Sequence, residues 1–275
     1  MPSALRHLRA LVFLSLLASP AFARSPLLEP IAVDARPIAR FRIGSEETRF
    51  GPLEFVGGLS MAGRGNFGAL SAFRYLTPGD DFIGVADTGF FYFGSMERDA
   101  AGVPTGVADF RMMPMVDSAG EPVVGKSNLD AEGLEVHEGT VTVAFEREHR
   151  ISEFELTPDD MRAPLRNVDF LVPRRELRRN RGFETVARAP DEGPLAGARV
   201  IVAEKSIDEN GNIFAAILEG PRKGVFKVAR SSEFDVTDGA FLPDGDLLLL
   251  ERRFSMAAGV AMRLRRIGGD TLRPG

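Results

Sequence analysis

The sequence predicts an all-β chain, and within that class a β-propeller of four-stranded blades. Three observations carry the prediction. The 275 residues hold 29 Gly and 18 Pro, a composition rich in turn formers. Short apolar runs of four to six residues recur along the chain and are bounded by turn dipeptides. Acid-bearing segments return at intervals near 50 residues, and a period of that size with about four strands per unit is how a propeller repeats. An apolar fraction of 44% against 27% charged residues supplies a substantial core, which excludes a disordered or fibrous chain.

From the N-terminus, residues 1–23 read as a secretory signal peptide. Arg6 and Arg9 precede the apolar run Ala10–Leu17, and Ala21-Phe22-Ala23 offers small residues around a cleavage point. That apolar run is too short to span a bilayer, and no other segment is long and apolar enough. The expected mature domain is therefore residues 24–275, exported to the periplasm or cell exterior. Lys plus Arg total 34 against 39 Asp plus Glu, and removal of the leader takes the net charge from −5 to −7. A chain this acidic lacks the basic stripe that displaces counterions from nucleic-acid phosphates. With no Cys, it has no disulfide, thiolate metal site or cysteine nucleophile.

The expected strands are Phe82–Ala86, Thr140–Phe145, Val200–Ala203, Ile213–Leu218, Val225–Ala229 and Leu247–Leu250. Pro78-Gly79, Glu138-Gly139, Asn210-Gly211 and Asp244-Gly245 punctuate them, and such dipeptides favour tight antiparallel hairpins. Continuous apolar strands such as Leu247–Leu250 suit positions sandwiched between blades. Only Asp159–Arg162 and Arg174–Arg179 offer short helical connectors. The repeat starts at Gly58, Glu132, Glu184 and Asp238, intervals of 74, 52 and 54 residues, with Glu97–Gly125 filling the longer first interval as a loop or extra hairpin. A ring of five or six blades is expected.

Four segments follow one another at this spacing: Gly57-Gly58-Leu59-Ser60, Asp130-Ala131-Glu132-Gly133-Leu134, Asn180-x-Gly182-x-Glu184 and Leu250-Glu251-Arg252-Arg253-Phe254. Together they resemble the phytase-like propeller family of exported bacterial proteins, described as having esterase-like activity, from about Phe55 to Ile267. Members usually carry two acids after the first blade's inner strand, whereas Asp87 is followed here by Thr88. They also usually continue past the position of Gly275 with a further Asn-x-Glu-Gly unit. Ring closure is thus expected either from a closing blade absent at the C-terminus or from the N-terminal segment around Ile31–Ile43.

In register, the repeats place one acid near each blade entry (Glu132, Glu184 and Asp238, with Asp130 beside Glu132) and a second after the apolar strand (Asp87, Glu146, Glu204 and Glu251). Equivalent positions in successive blades form rings about the axis, so these carboxylates are expected to converge on one mouth of the channel. Like charges at short range raise carboxyl pKa values unless cations neutralise them. An all-oxygen set suits calcium. The expected catalytic group is Glu132, Glu184 and Glu204, with Lys205 or Arg252 stabilising developing charge on a small-molecule ester or phosphoester. The alternative is a non-catalytic propeller that binds a ligand or protein partner. In that case Glu146-Arg147, Glu204-Lys205 and Glu251-Arg252 serve as structural ion pairs. The sequence sets no oligomeric state.

Other patterns carry less. Gly120–Ser127 matches the Walker A pattern by letter but is expected to lead into another turn rather than a helix. Asp208-x-Asn210-Gly211-Asn212 reads as a hairpin rather than a calcium loop. Gly58-Leu59-Ser60-Met61-Ala62 fails the nucleophile-elbow pattern at its last position. The two histidines of the mature chain, His137 and His149, are expected in turns, with His149 the nearer to the mouth.

Overall fold

A computed structural model describes residues 28–157, 161, 163–231, 233–257 and 259–275. The proposed leader, residues 1–23, and most of the connector Asp159–Arg162 lie outside them. Among the described residues the chain folds as four antiparallel sheets arranged as propeller blades, with five, four, four and three strands in chain order. The inner strands are Leu70–Tyr75, Ala131–His137, Phe183–Arg188 and Asp235–Phe241, each followed outward by its hairpin partners.

The expected runs are strands, often longer than predicted: Asp81–Ala86, Thr140–Phe145, Arg199–Ile207, Ile213–Ile217, Gly224–Val228 and Leu247–Ser255. The excess in the first interval is a long hairpin of Phe90–Arg98 and Pro104–Pro114, to which Glu29–Pro30 adds an outer strand. Arg174–Glu176 is a single 3-10 turn. A four-residue helix, Lys126–Leu129, follows Gly125 where a turn was expected. No strand leads directly into Gly120, so the strand–loop–helix frame of a phosphate loop is not built. Asp208 accepts backbone N–H groups from Asn210 and Asn212, each at 2.9 Å, as a hairpin turn does.

Two expectations about the ring change. The segment Gly58–Gly63 is not a blade entry: it pairs with Val33–Ile38 as a separate two-stranded sheet. This pair lies over the first blade, where Ile31, Val33 and Phe67 cover Phe82, Tyr92, Phe110 and Met112. The N-terminal strand therefore caps blade 1 and does not pair with the last blade. Four blades are formed among the described residues, where five or six were expected.

Every inner strand carries a register shift at the same place. The extra residue is Ser71 in blade 1, Glu132 in blade 2, Glu184 in blade 3 and Thr237 in blade 4. A bulge leaves one residue unpaired and re-aims its side chain, so this device fixes what points toward the mouth. These positions are 61, 52 and 53 residues apart, a more even repeat than letter matching gives.

Apolar packing joins blade 1 to blade 2, and blade 2 through blade 3 to blade 4, in separate clusters. Phe183, Val186, Ile201 and Ile217 are fully buried in one cluster that reaches Val236, Leu247 and Leu249 of blade 4. Ile83, Phe91 and Phe93 of blade 1 pack with Leu134, Val141 and Val143 of blade 2 in another. Each such side chain contributes about 1.5–3 kcal/mol by leaving water. Ion pairs tie the same seams. Arg199 of blade 3 meets Glu153 of blade 2 at 2.7 Å, and Arg188 meets Glu135 at 3.0 Å. Arg74 of blade 1 crosses to blade 4. It forks onto Asp238 at 2.7 and 2.8 Å and also donates to the carbonyls of Gly239 and Val186.

Candidate metal centre at the propeller mouth

The bulge positions build the mouth from four strands. On blades 2 and 3 the bulged residue is a glutamate, Glu132 or Glu184. The second strand of each blade, or the turn just after it, adds a further residue: the backbone N–H of Asp87, Glu146 and Glu204 each donates back across the entry of its own blade, at 3.0, 2.8 and 2.7 Å. These three are therefore equivalent positions. The fourth blade has Arg252 there, opposite Asp235.

Carboxylate oxygens of Asp130, Glu132 and Glu146 lie within 4.8 Å of one another, and so do those of Glu146, Glu184 and Glu204. Glu146 belongs to both triads and is buried, as is Asp130. Glu146 also accepts the Gly182 N–H at 2.7 Å. A Cβ on Gly182 would sit 2.9 Å from His149 Nδ1 and 3.0 Å from Glu146 Cγ, so glycine is what allows this approach.

Burial outweighs compensation here. Glu132 is pushed up to about 7, first by desolvation and then by Glu146, Asp130 and Asp87, against one hydrogen bond from Ser71. Glu146 also rises to about 7, again chiefly by burial, although the Gly182 N–H opposes the shift. Burial and the surrounding acids hold Glu184 well above the ordinary carboxyl range. Two of the acids have contact cations: Arg147 pairs with Asp130, and Arg181 pairs with Glu204 at 2.8 Å. Among the described residues Glu132, Glu146 and Glu184 have none.

Three residues expected among the ligands, Glu251, Asp238 and Asp87, are in neither triad. Glu251 is one position before the ring, and a one-residue step along a strand reverses the side chain's face. Its carboxylate is buried between Arg263 at 2.5 Å and Arg265 at 2.6 Å. Asp238 is one position beyond the bulge and holds Arg74. Asp87 stands in the ring position of blade 1 but in neither triad. Lys205 is on the rim, 2.8 Å from Asp235, which also holds Arg230. Arg252 is exposed.

His149 lies in a turn, as expected, and is buried; among the described residues its Nδ1 has no hydrogen-bond partner. Burial and Arg174 hold its pKa below that of an ordinary histidine. His137 lies at its hairpin beside Glu138, as expected. Sequence reasoning missed Ser71 and Thr237, which share the bulge with the two glutamates but carry no charge to mark it.

Residues 65–273 match the family model described as phytase-like, esterase-like activity of phytase. This chain belongs to the phytase-like family. Comparison with curated proteins gives no match. Among solved structures, one from Bacteroides fragilis, described provisionally as a 6-phosphogluconolactonase, is similar over 73% of this chain at 11% identity, with a TM-score of 0.37. This chain spans 55% of that one. Among the described residues no helix is long and apolar enough to cross a membrane. The clustered carboxylates of this phytase-like propeller are a donor set able to coordinate a divalent cation.

Proposed function

We propose that this phytase-like protein is an exported, metal-assisted ester or phosphoester hydrolase whose chemistry sits at the mouth of the propeller. The observation that carries the reading is the pair of carboxylate triads joined through Glu146, in which three of the five acids lack a contact cation. So many buried carboxylates without counter-charge suit a cation of hard, oxygen-seeking character, and the all-oxygen set favours calcium over zinc. Asp130, Glu132, Glu146, Glu184 and Glu204 would hold it. A bound calcium supplies Lewis acidity toward a carbonyl or phosphoryl oxygen and lowers the pKa of a coordinated water.

The chain's own groups divide the remaining work. In this reading Glu132 and Glu184, the bulged residues of their strands, would take a proton from an attacking water. Lys205, steadied by Asp235, and exposed Arg252 supply positive charge at the rim for an anionic substrate or developing oxyanion. The Arg147–Asp130 and Arg181–Glu204 pairs favour a second reading in which the mouth binds a ligand without turnover.

Hydrolysis of p-nitrophenyl phosphate, p-nitrophenyl acetate and phytate, with calcium and with chelator, separates the two. The hydrolase reading expects calcium-dependent turnover on at least one substrate, lost in Glu132→Gln and Glu184→Gln. Calcium-dependent melting shifts with no turnover on any of the three would leave the binding reading in its place.

A further inference from the structure

Between the segment that follows blade 1 and the outer strands of blade 2 lies a cleft of about 510 Å³, and none of the triad acids lines it. One wall belongs to blade 2. Arg150, Ser152 and Phe154 alternate along the strand Arg150–Glu155 and so share a face. Phe145 lies directly opposite Arg150 in register, and the guanidinium sits 3.6 Å from its ring centroid. Ser152 donates to Asn167 Oδ1 at 2.8 Å, which leaves the amide N–H groups of exposed Asn167 for a ligand. The other wall is a small hairpin in which Val116 bridges Pro122 and the Val123 N–H donates to the Met115 carbonyl at 2.9 Å. Val123 and Val124 line the cleft there, with Val124 exposed at 79%.

Arg150 differs from the arginines of the blade seams. Arg74, Arg188 and Arg199 each lie against a carboxylate. Half-buried Arg150 has no carboxylate at ion-pair distance among the described residues, and its donors reach only the carbonyls of Asn128 at 2.5 Å and Glu148 at 3.5 Å. Burial pushes its guanidinium down to about 10, whereas the pKa values of Arg74 and Arg199 are raised by their acids. A desolvated cation without counter-charge favours an anion that completes it, and a guanidinium takes a carboxylate by two parallel hydrogen bonds. The lining also limits the ligand's charge. Exposed Asp117 and Glu148 face the same cleft, so a second negative charge would meet acids rather than a second cation. Clefts of this size, mostly apolar with a few fixed polar points, are of the kind that holds small molecules.

We infer that this cleft binds a singly charged carboxylate with an apolar body, its head on the Arg150 guanidinium and the Asn167 amide and its tail along Val123 and Val124. The site needs no metal, and it stands whether or not the mouth hydrolyses a substrate.

Octanoate is the probe, titrated by calorimetry into the purified chain in the presence of chelator, so that no metal contributes. It should bind about tenfold or more tightly than each of three comparison compounds. Octanol has the tail without the charge, acetate has the charge without the tail, and inorganic phosphate carries a second charge. Arg150→Met should lower the octanoate affinity to that of octanol. Should that variant fail to fold, Val124→Asp tests the same point from an exposed position. A carboxylate there should weaken octanoate by about tenfold or more, while Val124→Lys keeps or raises the parent's affinity. No octanoate binding, or octanol binding as tightly as octanoate, overturns the inference. So does an octanoate affinity unchanged in folded Arg150→Met or in Val124→Asp.

Discussion

Blades 2 and 3 and blades 1 and 4 use one backbone device for opposite ends. All four inner strands bulge at the same point, yet the bulged residue is Glu132 or Glu184 in the middle pair and Ser71 or Thr237 in the outer pair. Between blades 2 and 3 the mouth collects acids with too few cations. Between blades 1 and 4 a bidentate Arg74–Asp238 pair joins the two ends of the row. The backbone aims a side chain, and the residue type then decides whether that position holds chemistry or only architecture.

The seam between blades 1 and 4 is where the contrast can be broken hardest. Arg74→Met leaves Asp238 partly buried without its partner, and loss of one member of such a pair costs about 3–5 kcal/mol. Equilibrium urea unfolding should show that loss. Arg74→Met combined with Asp238→Leu should recover a large part of it, because two apolar groups leave no charge stranded. A single variant that unfolds like the parent would show that the strut is dispensable.

At the acidic seam the expected effect is next in size and reverses with calcium. Glu184→Gln removes a buried carboxyl with no contact cation, so the calcium-free chain should melt higher at pH 8 than the parent. The same variant should lose most of the melting shift that calcium gives the parent. A rise in calcium response would contradict the assignment of Glu184 as a ligand.

The pH dependence follows from Glu132 and Glu146, both raised from 4.5 to about 7 by burial. Between these values the folded chain binds more protons than the unfolded chain, so stability without calcium falls as pH rises through that window and levels off above it. Calcium competes with those protons, and its stabilisation should grow over the same range. Melting curves from pH 4.5 to 8, with calcium and with chelator, check both slopes. The smallest effect belongs to Thr237→Val. Its hydroxyl donates only a 3.3 Å bond to Leu250, so about 1 kcal/mol or less is expected in the same unfolding assay, with the calcium response unchanged.

The sequence was most legible where chemistry and pattern coincide. Continuous apolar runs gave the strands, and Asp130–Gly133 and Gly182–Glu184 gave two blade entries, because a glutamate within two residues of a glycine stands out in both. It was least legible where one residue of register matters. The Asp238-Gly239 dipeptide resembles an entry, yet the bulge is at Thr237, and Glu251 resembles a ring acid, yet Arg252 holds that position. Adjacent residues of a strand face opposite ways, so each one-letter slip exchanged a ring residue for one held by arginine, Asp238 by Arg74 and Glu251 by Arg263 and Arg265. Gly58 misled by letters alone, since Ser71 has no charge to announce it. The Arg74 partnership could not be read at all, because its partner lies 164 residues away and only the folded arrangement of the blades makes them neighbours.

That strut has a consequence for movement. Arg74 lies three residues beyond the Ser71 bulge along its strand and holds a carboxylate and a carbonyl of blade 4 and a carbonyl of blade 3. One guanidinium is thus shared by three blades, so a shift of any one of them is felt at once by the other two.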